Sequence, residues 1–123
     1  MQTDIEPVGR FLGLKKAAAS VLCSPLSGRL LRLVFGGRIP HRGARIEVPA
    51  GGDPRVAAAL FWGTYESAEI RYVRAHLQGD LDVVELGSSL GGVSSEVARR
   101  LQPGRRLVCV EANPELLAIL GRN

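Results

Sequence analysis

The residues whose types and spacing could do chemistry lie between Glu85 and Glu111. Gly87-Ser88-Ser89-Leu90-Gly91-Gly92 is a glycine- and serine-rich turn. The mostly apolar run Leu81–Leu86 precedes it, and a helical pattern from Val93 to Leu101 follows. Placed between a strand and a helix, such a turn offers a ligand backbone N–H groups and the positive end of a helix dipole.

Four chemistries compete for this turn. A phosphate loop needs a lysine beside its last hydroxyl residue, whereas Val93 follows Gly92. A nucleophile elbow matches Gly87-x-Ser89-x-Gly91 literally, with Ser89 as nucleophile, but both histidines, His41 and His76, precede it. A dinucleotide fingerprint aligns on Gly87, Ser89 and Gly92, with a serine where a pyrophosphate needs glycine. An S-adenosylmethionine site asks less of that middle position, because the ligand carries no phosphate. It asks instead for an acid at the end of the first strand, facing the ligand's positive amino-acid end. A second acid after the next strand would accept from both ribose hydroxyls. Glu85 and Glu111 occupy those places, 26 positions apart, which fits one helix and one strand between them. The plain alternative is a turn flanked by two solvated glutamates.

The elements that must position these residues follow from periodicity and punctuation. Residues 8–23 and 26–35 read as two short helices broken at Pro25, with Val8, Phe11 and Leu12, then Leu30, Leu31 and Val34 recurring at helical spacing, Gly36-Gly37 ending the second and Pro40 confirming the stop. Arg45–Val48 alternates like a short strand, and Gly51-Gly52-Asp53-Pro54 is a turn whose Asp53 and Pro54 suit a helix start. Ser67–Leu77 is amphipathic, with Ile70, Val73, Arg74 and Leu77 on one side. Strand 81–86, helix 93–101, strand 106–110 and helix 115–120 then predict an α/β fold built on a right-handed parallel βαβ unit.

Composition bounds the function classes. With 46% hydrophobic and 23% charged residues, the 123-residue chain has the balance of a folded domain. No apolar run approaches the roughly 20 residues of a membrane-spanning helix. Charge is uneven: residues 1–52 hold eight basic and three acidic side chains, residues 53–123 eight basic and nine acidic. The basic half could dock on acidic lipid or nucleic acid, or simply be a solvated surface. Nucleic acid is not the expected partner, because few aromatic residues interleave with the basic ones. Cys23 and Cys109 lack metal or redox spacing and read as two buried thiols of a reducing compartment; with no signal-peptide pattern, the cytoplasm is expected. No metal-ligand spacing is seen, and His41 and His76 read as surface or helix-face residues.

Val83-Val84-Glu85-Leu86-Gly87-Ser88-Ser89-Leu90-Gly91, then Val108-Cys109-Val110-Glu111-Ala112-Asn113-Pro114, then Leu117-x-x-Leu120-x-x-Asn123 resembles the FkbM-like branch of class I methyltransferases. Upstream, Phe61-Trp62-Gly63-Thr64-Tyr65-Glu66 and Glu69 are similar to a segment that this group carries before its first strand. The resemblance covers about residues 46–123. It departs from the pattern at Glu85, where aspartate is common, and at Ser89, where asparagine or glycine is usual.

The resemblance implies S-adenosylmethionine as cofactor and a sugar or other small-molecule hydroxyl as methyl acceptor. It implies that Glu85, Gly87, Ser88, Ser89 and Gly91 line the methionine end, that Glu111 binds the ribose, and that Ala112 and Asn113 lie beside the adenine. Tyr65 and Glu66 would close over the methionine end. It implies a Rossmann-like domain of which residues 46–123 supply only the first βαβα portion, preceded by a basic helical extension over residues 1–45. Half a cofactor site and little turnover are then expected of this chain by itself. Two other readings stay open: the start of an α/β-hydrolase with Ser89 as nucleophile, and a non-catalytic βαβ module whose basic helices bind a partner.

Overall fold

The computed structural model describes residues 17–123. The expected helix over 8–23 falls partly outside them; residues 17–22 are helical. Helix α1 (Pro25–Phe35) starts where Ser24 accepts a hydrogen bond from the Ser27 N–H and Pro25 opens the first turn. It ends in the left-handed Gly36, φ 58°, whose N–H returns to the Arg32 carbonyl.

The next segment departs from expectation. Arg38–His41 forms a strand, β1, which pairs antiparallel with β2 (Ala44–Glu47) through the two-residue turn Arg42-Gly43, both at positive φ. Pro40, expected to confirm a stop, lies within β1. It is tolerated because among the described residues this sheet has two strands, which leaves β1 an open edge needing no donor. The hairpin also spans the expected division between residues 45 and 46, and the core draws residues from both sides of it.

Asp53 caps α2 (Pro54–Phe61) by accepting from the Arg55 N–H at 2.9 Å, with Pro54 in its first turn as expected. Helix α3 (Ser67–His76) buries Ile70. Strand β3 (Val83–Leu86), helix α4 (Gly92–Arg100), strand β4 (Leu107–Val110) and helix α5 (Pro114–Leu120) complete the chain. Strand β3 is shorter than expected because Asp82 turns its carboxylate to the Arg106 N–H and guanidinium. β3 and β4 pair in parallel, Val83 opposite Leu107 and Leu86 opposite Val110. The described residues are thus mixed α/β, with two separate two-stranded sheets.

The core gathers Ile39, Ile46, Val48, Ala57, Leu60, Leu90 and Ile119. Through Leu90 the glycine-rich turn is anchored in the same core as the hairpin and α2. Val83, Glu85, Leu107 and Cys109 are half-buried, whereas Val84, Leu86, Val108 and Val110 on the other sheet face are exposed. Both cysteines are free and half-buried, not buried as expected. Among the described residues no helix is long and apolar enough to cross a membrane.

His41, expected at the surface, is instead buried beneath the hairpin. Its Nδ1 lies 2.7 Å from the Leu60 carbonyl and its Nε2 has no partner among the described residues. The alternation of β1 puts residues 39 and 41 on one inward face. Burial pushes its pKa below the usual histidine value of 6.5, and the nearby Arg42 and Arg99 add to this. The unfolded chain therefore binds a proton more readily than the folded one. This contribution to stability is whole above pH 6.5 and is lost as pH falls from there toward the lowered folded pKa. Urea midpoints measured against pH should begin to fall below about pH 6.5, and His41→Asn should remove that early limb. An unchanged limb in the variant would assign it elsewhere.

Candidate functional site

The turn between β3 and α4 is held from three sides. The Gly87 and Ser88 N–H groups both donate to the Val110 carbonyl, at 2.8 and 3.1 Å, which ties the turn to the end of β4. The Gly91 N–H closes onto the Ser88 carbonyl at 2.8 Å. Asn123 reaches back from the end of the described chain: its Nδ2 donates to the Leu90 carbonyl at 2.9 Å, while its Oδ1 accepts from the Glu47 N–H at 2.7 Å. Left-handed backbone at Gly87, Ser89 and Gly91 lets the chain reverse within five residues.

Glu111 stands immediately after β4, at the carboxyl edge of the parallel pair. Its Oε2 accepts from the Ser89 N–H at 2.7 Å and its Oε1 from the Asn113 N–H at 2.9 Å. Hydrogen bonds from the backbone N–H groups of Asn113, then Ser89, hold its carboxyl below the usual range, so it is ionised at neutral pH. Each oxygen keeps acceptor capacity after these bonds, since a carboxylate has about four lone-pair sites.

Glu85 turns toward α4, not toward the open edge. Its Oε2 accepts from the Ser94 hydroxyl at 2.6 Å, and the Cys109 thiol lies 4.0 Å away. Ser94 carries no signal in the sequence. It lies on a helix, and only the packing of α4 over β3 brings it to the glutamate.

Tyr65 and Glu66, far upstream in sequence, lie over the start of α4. The Tyr65 hydroxyl is 3.1 Å from the Ser89 hydroxyl. A side chain at Gly92 would press within 3.0 Å of the Tyr65 ring and 3.1 Å of the Glu66 carboxylate. Burial raises the Tyr65 pKa, and burial, then the charge of Glu85, raises that of Glu66. The backbone N–H of Val93 works against this and lowers the Glu66 pKa. The first turn of α4 therefore lies against this chain's own Tyr65 and Glu66, where the sequence suggests N–H groups open to a ligand.

The remaining expected site residues divide by exposure. Gly87 is exposed, and a side-chain carbon added there would meet nothing within 4 Å, so the space above it is open. Ala112 and Asn113 are also exposed, and the Asn113 side chain caps α5 by accepting from the Glu115 N–H at 3.0 Å. Ser88 is buried, with its hydroxyl on the Glu85 carbonyl at 3.3 Å. Gly91 is buried too, beside a Leu120 methyl, and its left-handed backbone, φ 85°, disfavours a side chain. Ser88 and Gly91 thus shape the turn from beneath. Tyr65 and Ser89 line a small cavity of about 200 Å³ with Val56, Leu90 and Leu116. That is below the roughly 300 Å³ of ordinary ligand pockets.

Structure therefore brings together Tyr65, Glu66, Glu85, Ser89 and Glu111, three of them carboxylates. The Ser89 hydroxyl has a phenol as its partner; among the described residues no imidazole is hydrogen-bonded to it. Comparison of the chain with protein-family models, with curated proteins and with solved structures finds no match.

Proposed function

We propose that the turn and its three carboxylates form part of an S-adenosylmethionine site, and that the chain belongs to an enzyme transferring the methyl group to a sugar or other small-molecule hydroxyl. The observation that carries this reading is the Glu111 carboxylate. Two backbone N–H groups fix it at the carboxyl edge of a parallel strand pair, where α/β folds bind ligands. Open space above Gly87 adjoins the end of the same pair.

The donor set fits this cofactor. Its sulfonium and ammonium outweigh its one carboxylate, and Glu66, Glu85 and Glu111 stand around the turn without an arginine or lysine paired to any of them among the described residues. A phosphate-bearing ligand would meet the same carboxylates as repulsion. When bound, S-adenosylmethionine supplies a methyl group already activated for displacement. The part left to this chain is orientation. Glu111 would hold the ribose by its remaining acceptor sites. Glu66 and Glu85 would face the amino-acid end, Glu85 steadied by Ser94. Tyr65, packed on Gly92 and Ser89, would limit access of water from the α4 side.

Calorimetric titration of the chain with S-adenosylmethionine tests this. Wild type should bind, and Glu111→Ala should weaken binding about tenfold to a hundredfold, the range of a lost charge-assisted hydrogen bond. Equal affinity in the two proteins would remove the ribose role; no heat with wild type would remove the site.

A further inference from the structure

Helix α1 has two apolar faces. Gly28, Leu31 and Phe35 turn inward, Gly28 against the Pro54 backbone and Leu31 and Phe35 against the core. Leu26, Leu30, Leu33 and Val34 turn outward and are 77, 61, 81 and 66% exposed. At helical spacing these four share an arc about 100° wide, the width of a stripe that ordinarily faces a core. Here it faces solvent. Val21 and Leu22 extend the apolar surface past the break at Ser24, and both are exposed. Trp62 joins it: the residue is 46% exposed, and its indole N–H donates to the Leu22 carbonyl at 3.1 Å.

Basic groups border this surface. Arg29 is exposed beside the stripe, and Arg38 is exposed on the outer face of the hairpin. With Arg32, Leu33 and Arg122 they line an open cleft of about 1210 Å³ along α1. Arg32 is bound to the carbonyls of Pro49, Ala50 and Gly52, and Arg122 to Glu47, the one acid in the lining. The sequence before the described residues adds Arg10, Lys15 and Lys16 to the same basic half.

We infer that this face docks on a lipid bilayer bearing anionic headgroups. The leucines of α1 would enter the boundary between headgroups and acyl chains, with Arg29 and Arg38 at headgroup level. Leucine and tryptophan on one side and arginine at the border are the composition of an interfacial helix. The charge selects the lipid: a neutral bilayer would reward only the leucines. The inference is independent of the cofactor reading, because it uses neither the turn nor its carboxylates.

Flotation of the whole chain with phosphatidylcholine vesicles, with and without phosphatidylglycerol, tests it. Binding should require the anionic lipid, fall with added salt, and shift the emission of Trp62, the single tryptophan, to the blue. Arg29→Gln with Arg38→Gln should weaken binding on the order of fivefold for each arginine. Leu30→Glu with Leu33→Glu should abolish it while leaving the far-ultraviolet circular dichroism unchanged, since both positions are exposed. Equal binding to both vesicles, or to neither, would overturn the proposal. So would a dimer, seen by sedimentation, that the leucine variant dissolves, or tighter binding to RNA than to anionic vesicles.

Discussion

Gly28→Ala is expected to lower the stability of the fold by about 3 kcal/mol, the upper part of the range for forcing an extra carbon into a packed interior. Gly28 is the fourth residue of α1, where an alanine would otherwise favour the helix by roughly 1 kcal/mol. The contact with α2 reverses that sign. A methyl at position 28 would overlap the Pro54 carbonyl, and Pro54 is fixed as the first residue of α2 beside the Asp53 cap. Backbone cannot turn aside as a flexible side chain can, so α1 must shift as a body and loosen Leu31 and Phe35 on the core. Gly36→Ala gives the comparison. It is left-handed but meets nothing within 4 Å, so it should cost only about 1–2 kcal/mol of backbone strain. Urea denaturation of the two variants should separate them clearly; equal losses would mean that α1 and α2 approach each other less closely than this contact requires.

Glu96→Ala is the second large change, expected to cost about 2–3 kcal/mol at neutral pH. Glu96 on α4 is 4% exposed and takes a two-pronged hydrogen bond from Arg74 of α3, both at 2.9 Å, and another from Arg99 at 2.7 Å. Arg99 in turn donates to the Arg42 carbonyl at the hairpin tip. One carboxylate thus ties α3, α4 and the hairpin together. Losing one partner of a buried pair ordinarily costs about 3–5 kcal/mol. The figure here is smaller because the arginine side chains are 39–44% exposed and can rehydrate. The arginines, Arg74 foremost, lower the Glu96 pKa to about 2 from 4.5. The folded state therefore holds its proton less tightly than the unfolded one. The resulting stability, up to about 3 kcal/mol, is whole above pH 4.5 and is lost as pH falls toward 2. Glu96→Gln should flatten this acid limb, which lies below the one assigned to His41. Stability measured from pH 5 downward, which stays parallel in wild type and Glu96→Gln, would refute the linkage.

Much of the local structure is legible before any tertiary contact. Ser24-Pro25, Asp53-Pro54 and Asn113-Pro114 each pair a capping side chain with a proline, and each opens a helix. The apolar strands around the turn, and the helix between them, stand within two residues of where periodicity puts them. The hairpin is only half legible: its second strand stands one residue from the expected Arg45–Val48, but its first strand and turn carry no signal. Its first strand has four residues, one of them proline, and its turn carries Arg42 where asparagine would signal a reversal. Nothing local in Arg-Ile-Pro-His favours a strand over a loop; pairing with Ala44–Glu47 and burial of Ile39 and His41 decide it.

For the candidate site, the sequence by itself determined which groups stand near the turn: Glu85 before it, Glu111 one helix and one strand later, and glycine where the backbone turns left-handed. Spacing in a parallel βαβ unit places both acids at one sheet edge whatever the rest of the chain does. Direction was decided only by tertiary structure. Glu85 faces Ser94 because α4 packs over that side of β3, and Glu111 folds back on Ser89 because the turn's N–H points at it. Tyr65 and Glu66 reach the start of α4 across more than twenty residues. A carboxylate's partners depend on which surfaces meet, and that is settled by burial of apolar groups such as Leu90 and Ile70, not by the identity of the acid. The outward leucines of α1 show the same limit from the other side. Periodicity marked Leu30 and Val34 as apolar helix positions, but only the packed fold shows that the inward face was already filled by Gly28, Leu31 and Phe35.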